Sequence, residues 1–235
     1  MYDPNEVLRL VDDNVALVLA FGGLSFGALG VYYYEMATLG FRHRVAPLTL
    51  VAVTTFFPHD ANFVLNFEDW FSTYDHWLLK GFWAALVVTS LLELVFVAAI
   101  VRHGREEMAP GLSQRGFELY CAGAMVAGIC LWAVLKVNID DPLYLTTFML
   151  TITWCLPSMT VLHLRRDERR GFSTRQLVAY LLMALGYVLL TVVVFEFRDV
   201  WWLVVCALTL VWGAGLAWSV SRSPAFDPDR PGTTR

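Results

Sequence analysis

The 235 residues carry 57% apolar side chains and only 16% Asp, Glu, Lys and Arg, with a net charge of −4 and a mean hydropathy of +0.56. Soluble domains carry about a quarter charged residues. Here the apolar residues run in long blocks, which excludes a soluble enzyme, a disordered chain and a nucleic-acid-binding module. An all-α polytopic membrane protein is the class that fits.

Taken in chain order, the opening MYDPNEVLRLVDD is acidic and lacks the basic region of a cleavable signal peptide. A bilayer span needs about 20 mostly apolar residues. Seven stretches qualify: 13–34, 46–66, 78–101, 117–137, 143–164, 176–195 and 200–220. Residues 1–220 therefore read as one domain, a bundle of seven transmembrane helices. The second stretch is the weakest, since Pro58, His59, Asp60, Asn62 and Asn66 interrupt it. From Ser221 the chain is polar and Pro-rich, and 221–235 is expected to be a disordered tail. Cys121, Cys130, Cys155 and Cys206 all fall inside apolar stretches without CxxC spacing, which marks them as packing residues.

Charge placement tests the count of spans. Cytoplasmic loops carry excess Lys and Arg. Arg42 and Arg44 follow the first stretch. Arg102, Arg105 and Arg115 follow the third, and Arg165, Arg166, Arg169, Arg170 and Arg175 the fifth. Arg222, Arg230 and Arg235 lie in the tail. The alternate loops are acidic: Glu68, Asp69 and Asp75, then Asp140 and Asp141, then Glu196 and Asp199. The basic clusters alternate in step with seven crossings, which puts the N-terminus outside and the C-terminus in the cytoplasm. The usage of 15 Arg against 2 Lys points to a high-GC bacterial gene, hence to a bacterial cytoplasmic membrane.

An ionisable side chain inside a span costs about 2.5–3.5 kcal/mol on insertion scales and so needs a reason. The first cluster is Phe57-Pro58-His59-Asp60-Ala61-Asn62 with Asn66. Pro58 cannot donate a backbone hydrogen bond, which frees the Thr54 carbonyl and predicts a kink or an opening into a cavity. His59, Asn62 and Asn66 share one helix face, and Asp60 lies on the neighbouring one. The cluster is a reaction or ligand site, or else a structural polar patch. The second group is Glu93, deep in the third stretch, where low dielectric favours the uncharged acid. It is either catalytic or the cap of a buried network with a Tyr or Trp. The third is Phe195-Glu196-Phe197-Arg198-Asp199, where Asp199 caps the next helix on the same side as Asp60. Topology allows the two acids to share one outward-opening cavity. Tyr32-Tyr33-Tyr34-Glu35 and Glu118 fall at inner span ends and read as interface anchors. Trp70, Trp77, Trp201 and Trp202 suit an outer aromatic belt. Trp83, Trp132, Trp154 and Trp212 lie inside spans, where they pack or line an aromatic pocket. Trp83, Trp154 and Trp202, with Asn62 and Asn66, are the candidate substrate-binding residues.

Much chemistry is excluded by what is missing. The five histidines form no paired boxes and no HExxH, so no metal site is expected. The last stretch has no Lys for a retinal Schiff base. The isolated Asp140-Asp141-Pro142 is not a repeated diphosphate-binding motif. There is no Gly-rich phosphate loop and no GxSxG. What remains is carboxyl chemistry in an aromatic, membrane-embedded cavity. Protonation of an alkene or epoxide fits, with aromatic faces around the cation.

With these features the chain resembles the integral-membrane terpene cyclases of fungal meroterpenoid and indole-diterpene pathways and their bacterial relatives that make indole sesquiterpenoids. Seven spans in 235 residues match in size. Glu93-Leu94-Val95-Phe96-Val97 leading to Arg102-His103-Gly104 is similar to the family's acid, apolar run and Gly-containing turn. Ser158-Met159 through Arg165-Arg166, then Arg169-Arg170-Gly171-Phe172-Ser173 and Leu185-Gly186, resembles its basic loop and Leu-Gly pair. Asp199 stands where the family has an acid at the start of the seventh span. The family's Asn-x-x-Trp-Glu string in the second span is absent, and Asp60 is its nearest substitute, ahead of Glu68 and Asp69. The resemblance implies a cyclase without metal or organic cofactor, acting on a prenylated lipophilic substrate such as a farnesylated indole or phenol. Asp60 would be the proton donor oriented by His59, Asp199 a second acid, and Glu93 a residue tuning the cavity. Two other readings stand beside it: a small transporter or ligand-binding receptor, and an accessory subunit of a membrane complex. Oligomeric state is open.

Overall fold

Side-chain caps set where the helices begin. Asp3 accepts from Asn5 N ahead of α1 (Pro4–Asp13), whose first residue is a proline. Helix α2 (Val15–His43) follows almost directly. Thr49 caps α3 (Leu50–Val64), and His76 caps α4 (Trp77–His103) after a π-helical turn at Asp69–Thr73. A short α5 (Arg105–Met108) precedes α6 (Gln114–Asn138), capped by Ser113. Helix α7 (Leu145–Arg165) starts at Tyr144, which takes a left-handed conformation. Ser173 and Gln176 form a reciprocal capping box for α8 (Thr174–Leu189), which continues as a π-helical turn over Leu190–Val194. Asp199 caps α9 (Val200–Arg222). This computed structural model describes residues 2–65, 67–166 and 168–227, and every regular element among them is helical.

Among the described residues six helices are long and apolar enough to cross a membrane: α2, α4, α6, α7, α8 with its π-helical turn, and α9. Their lengths follow the predicted stretches, although α2 runs about two turns further, to His43, before Arg44 reverses the chain in a left-handed conformation. The predicted second span is different. Residues 46–49 form the lead-in to the Thr49 cap, and α3 holds only 15 residues. At 1.5 Å per residue that is about 22 Å, short of a bilayer core of about 30 Å.

The helices pack by removing side chains where backbones meet. The α2–α8 and α3–α4 pairs make the most extensive contacts, with α6 against α3 and α9 against α8. Gly186 of α8 faces the backbone of α2, where an added Cβ would lie 2.8 Å from Phe21 O. Helix α7 is central, with 61% of its apolar window buried, against 17% for the peripheral α6. Pro58 neither ends nor opens α3, which stays helical through it. The freed Thr54 carbonyl is met by Gly128 of α6, so close that a Cβ there would lie 2.3 Å from the oxygen. Small residues let backbones approach in this way in membrane bundles.

Both ends of the bundle are tied. At one end the basic loops converge. Arg166 makes a two-pronged bond to Glu107 (2.7 and 2.8 Å) and donates to Ala46 O. Gly171 N donates to His43 Nδ1 at 2.9 Å. The tail expected to be free from 221 instead begins inside α9, and its next residues are seated on this loop. Arg169 N donates to Pro224 O, and the Phe226 ring lies 4.6 Å from that of His43. Residues 228–235 of that expectation lie outside the described residues. At the opposite end α1 folds over the bundle through Val7, Leu8 and Val11. Asp12 accepts from Trp77 Nε1 and lies 3.0 Å from His76 Nε2. Tyr2 donates to Asp141 and accepts from Leu143 N.

Candidate functional site

A narrow, partly open cavity lies between α2, α3, α4, α7 and α8. Helical repeat explains which side chains reach it. Phe56 and Asp60 stand at i and i+4 on α3, as do Thr89 and Glu93 on α4, so each pair projects from one face. Tyr32, Tyr33, Phe148, Thr151 and Cys155 add to the polar and aromatic wall. Among the described residues no Lys or Arg lines it.

Asp60 is 5% exposed and both of its oxygens are engaged. Oδ1 lies 2.8 Å from Nδ1 of the adjacent His59, and Oδ2 lies 2.6 Å from the Thr89 hydroxyl. His59 is wholly buried behind it, stacked on Tyr144 at 3.9 Å and edge-on to Trp132 at 4.6 Å. Among the described residues neither its Nε2 nor the Tyr144 hydroxyl has a hydrogen-bond partner. Tyr144 carries this ring at φ 71°, a region that costs a non-glycine residue of order 1–3 kcal/mol. On α4, Glu93 is 1% exposed. Its Oε1 accepts from Tyr33 at 2.7 Å, and its Oε2 has no hydrogen-bond partner among the described residues.

The Thr89 hydroxyl has one proton and two neighbours. The Leu86 carbonyl, at 3.1 Å, can only accept. When Thr89 donates to Leu86, its oxygen is free to accept a hydrogen bond from the protonated Asp60. When Thr89 turns to Asp60, it donates to the carboxylate. The surroundings therefore satisfy Asp60 as an acid and as its conjugate base without moving a heavy atom.

The predicted site residues separate. Asp60 and Glu93 line the cavity, with His59 directly behind Asp60. Asp199 is elsewhere: exposed at the start of α9, its carboxylate accepts from Trp201 N at 2.9 Å and from Trp202 N. Asp199 is not among the residues that line the cavity with Asp60, and α9 packs against α8 and α7. Asn62 turns back along its own helix and donates to Pro58 O at 2.7 Å. Asn66 lies outside the described residues. Trp83 donates to Val64 O and packs edge-on to Phe71, which ties α4 to the end of α3. Trp154 is 52% exposed on the outer surface of α7. Trp202 donates to Thr191 and packs on Phe197. None of these three indoles lines the cavity.

Tyr32 and Tyr33 belong to the interior, contrary to the interface role that the Tyr triplet suggests. Tyr32 lies 3.0 Å from Cys155 Sγ and packs edge-on to Tyr180. Only Tyr34 is exposed. The signal was available, since successive helical residues diverge by about 100° and three in a row cannot all face lipid. Glu35 does hold the loop end, accepting from Ser173 at 2.9 Å. Thr89 and Tyr144 gave no sequence signal. Among the described residues no cluster of three or more His, Cys, Asp and Glu stands where it could hold a metal ion. Comparison of the chain with protein-family models, curated proteins and solved structures finds no match.

Proposed function

We propose that the chain is a membrane-embedded cyclase that protonates an alkene or epoxide of a prenylated, lipophilic substrate. The observation that carries this reading is Asp60, set in an aromatic-lined cavity with partners suited to both of its protonation states. In the first step the Asp60 proton adds to a substrate carbon, the π pair forms the new C–H bond, and a carbocation and the Asp60 carboxylate remain. His59 orients that carboxylate and stabilises it through Nδ1. Tyr32, Tyr33, Phe56 and Phe148 line the space where the cation would form. Each desolvated cation–π contact contributes about 2 kcal/mol. Ring closure moves the cation along the chain, and loss of a proton restores neutrality, so substrate and product have equal mass. Asp199, in this reading, stabilises α9 and does not touch substrate.

The membrane arrangement that goes with this function has seven crossings, α3 serving as the short second one. The basic ends of α2, α4 and α7 meet at one pole of the bundle, so α3 must return the chain between α2 and α4 for the positive-inside rule to hold. That pole would face the cytoplasm and α1 the outside. Short spans are accommodated by local bilayer thinning at modest cost. The bacterial cytoplasmic membrane remains the membrane we favour, on the Arg-rich composition.

Purified protein in detergent is given a panel of farnesylated phenols and indoles, and products are read by chromatography and mass spectrometry. A product of unchanged mass and shifted retention, lost in Asp60→Asn and kept in Asp199→Asn, supports the reading. Full turnover by Asp60→Asn overturns it.

A further inference from the structure

Asp60 and Glu93 line the same cavity, yet the protein treats them differently. Asp60 has a partner for each oxygen. Glu93 has Tyr33 on Oε1 and nothing on Oε2, although the residue is 1% exposed. A buried carboxyl oxygen without a partner is costly, and such groups normally find one. Tyr33 is itself fixed by edge contact with Phe96 at 5.1 Å, so Glu93 is held in place with one oxygen open. Around it the cavity offers the apolar side chains of Leu29, Phe56, Ile152 and Met183. Glu93 lines the cavity, so a group that enters it can supply the partner.

The chemistry of that partner is constrained. Two carboxyl groups and no Lys or Arg line the space, which disfavours a carboxylate or diphosphate. An ionised carboxyl oxygen only accepts a hydrogen bond, and one that bears the proton donates it. An ether or ketone can only accept, and an N–H can only donate. A hydroxyl group does both. We infer that Glu93 Oε2 holds the hydroxyl of an otherwise apolar substrate, making Glu93 the specificity-determining residue and a prenylated phenol or alcohol the substrate class. This inference rests on the reading of the cavity as a lipophilic substrate site. The isoprenoid chain then lies along the apolar wall towards Asp60.

The test is binding, which needs no turnover. A radiolabelled farnesylated phenol and its O-methyl ether are measured by equilibrium dialysis against the purified full chain in detergent. The phenol is expected to bind about tenfold tighter than the ether, the range of a hydrogen bond to a buried acidic group. That preference should persist in Asp60→Asn, survive in part in Glu93→Gln and vanish in Glu93→Met. Should Glu93→Met not fold, infrared difference spectra of the wild type give the answer: the phenol shifts a buried carboxyl band and the ether does not. Equal binding of phenol and ether, no binding of either, or an undiminished preference in Glu93→Met overturns the inference. A lone bound water on Oε2 would give the first of these results. A phenol that binds with the expected preference but is never converted keeps this assignment and sinks the cyclase reading. Conversion of phenol and ether with equal KM does the reverse.

Discussion

Gly128→Ala is a one-carbon perturbation with a large expected effect. The freed carbonyl of Thr54, four residues before Pro58, points at α6. A Cβ on Gly128 would lie 2.3 Å from that oxygen and 3.2 Å from Pro58 Cγ. Ordinary van der Waals contact begins at 3.4 Å, so the two backbones must part by about 1 Å. Neither neighbour can turn away, since one is a carbonyl and the other a proline ring. Overpacking of this kind costs about 1–3 kcal/mol. At about 2–4 °C per kcal/mol for a chain of this size, the midpoint of thermal unfolding should fall by roughly 2–12 °C. The assay is thermal unfolding in detergent, followed by tryptophan fluorescence. Gly123→Ala on the same helix is the control, because nothing lies within 4 Å of its Cβ. Alanine there should be neutral or slightly stabilising, since glycine lowers helix stability by about 0.5–1 kcal/mol. Gly128→Ala as stable as Gly123→Ala would refute the close α3–α6 contact and with it the account of how Pro58 is tolerated.

Asp199→Ala should lower stability by about 1 kcal/mol through loss of the α9 cap, with turnover per folded molecule unchanged. A loss of turnover without loss of stability would return Asp199 to the chemistry. Asp141→Ala removes the acceptor of Leu145 N, Thr147 N and the Thr147 hydroxyl as well as the bond from Tyr2. It should cost about 1–3 kcal/mol, seen in the unfolding midpoint, and should make α1 more accessible to protease. Bonds from His76 and Trp77 hold the exposed Asp12 carboxyl below the usual carboxylate range. The α1 contact they make is thus fully present above the unfolded aspartate value of about 3.9 and is lost as pH falls through the lower folded value. Spin labels on α1 and α4 should report docking that is intact at about pH 5 and loosens below about pH 4 in the wild type. In Asp12→Asn this acid step should be absent.

Composition and hydropathy made the helical membrane class legible, since six apolar blocks became helices of spanning length. The second block misled on length because its polar and proline residues sit inside a short helix, and hydropathy averages over them. The cavity was half legible. Asp60, His59 and Glu93 were visible as polar groups where apolar ones belong. Thr89 was invisible, because a threonine in an apolar helix ordinarily bonds its own backbone. Tyr144 was invisible too, because its role depends on a left-handed turn between α6 and α7. The tryptophans misled for a different reason. An indole inside a span serves equally well against lipid, as Trp154 does, or as a donor between helices, as Trp83 and Trp202 do. Asp199 looked catalytic by its position near a helix start, and a free helix N-terminus is itself enough to hold a carboxylate there.

The central claim is that Asp60 delivers the proton that starts cyclisation, and turnover in deuterated water tests it most directly. With an epoxide-free farnesylated substrate the proton goes to an alkene carbon, and if Asp60 is recharged from solvent between turnovers each product molecule should gain one deuterium at the carbon protonated first. Asp60→Asn should give neither product nor label, with the protein still folded and still binding substrate. A product without deuterium, or labelled product formed by Asp60→Asn at the wild-type rate, would contradict the account.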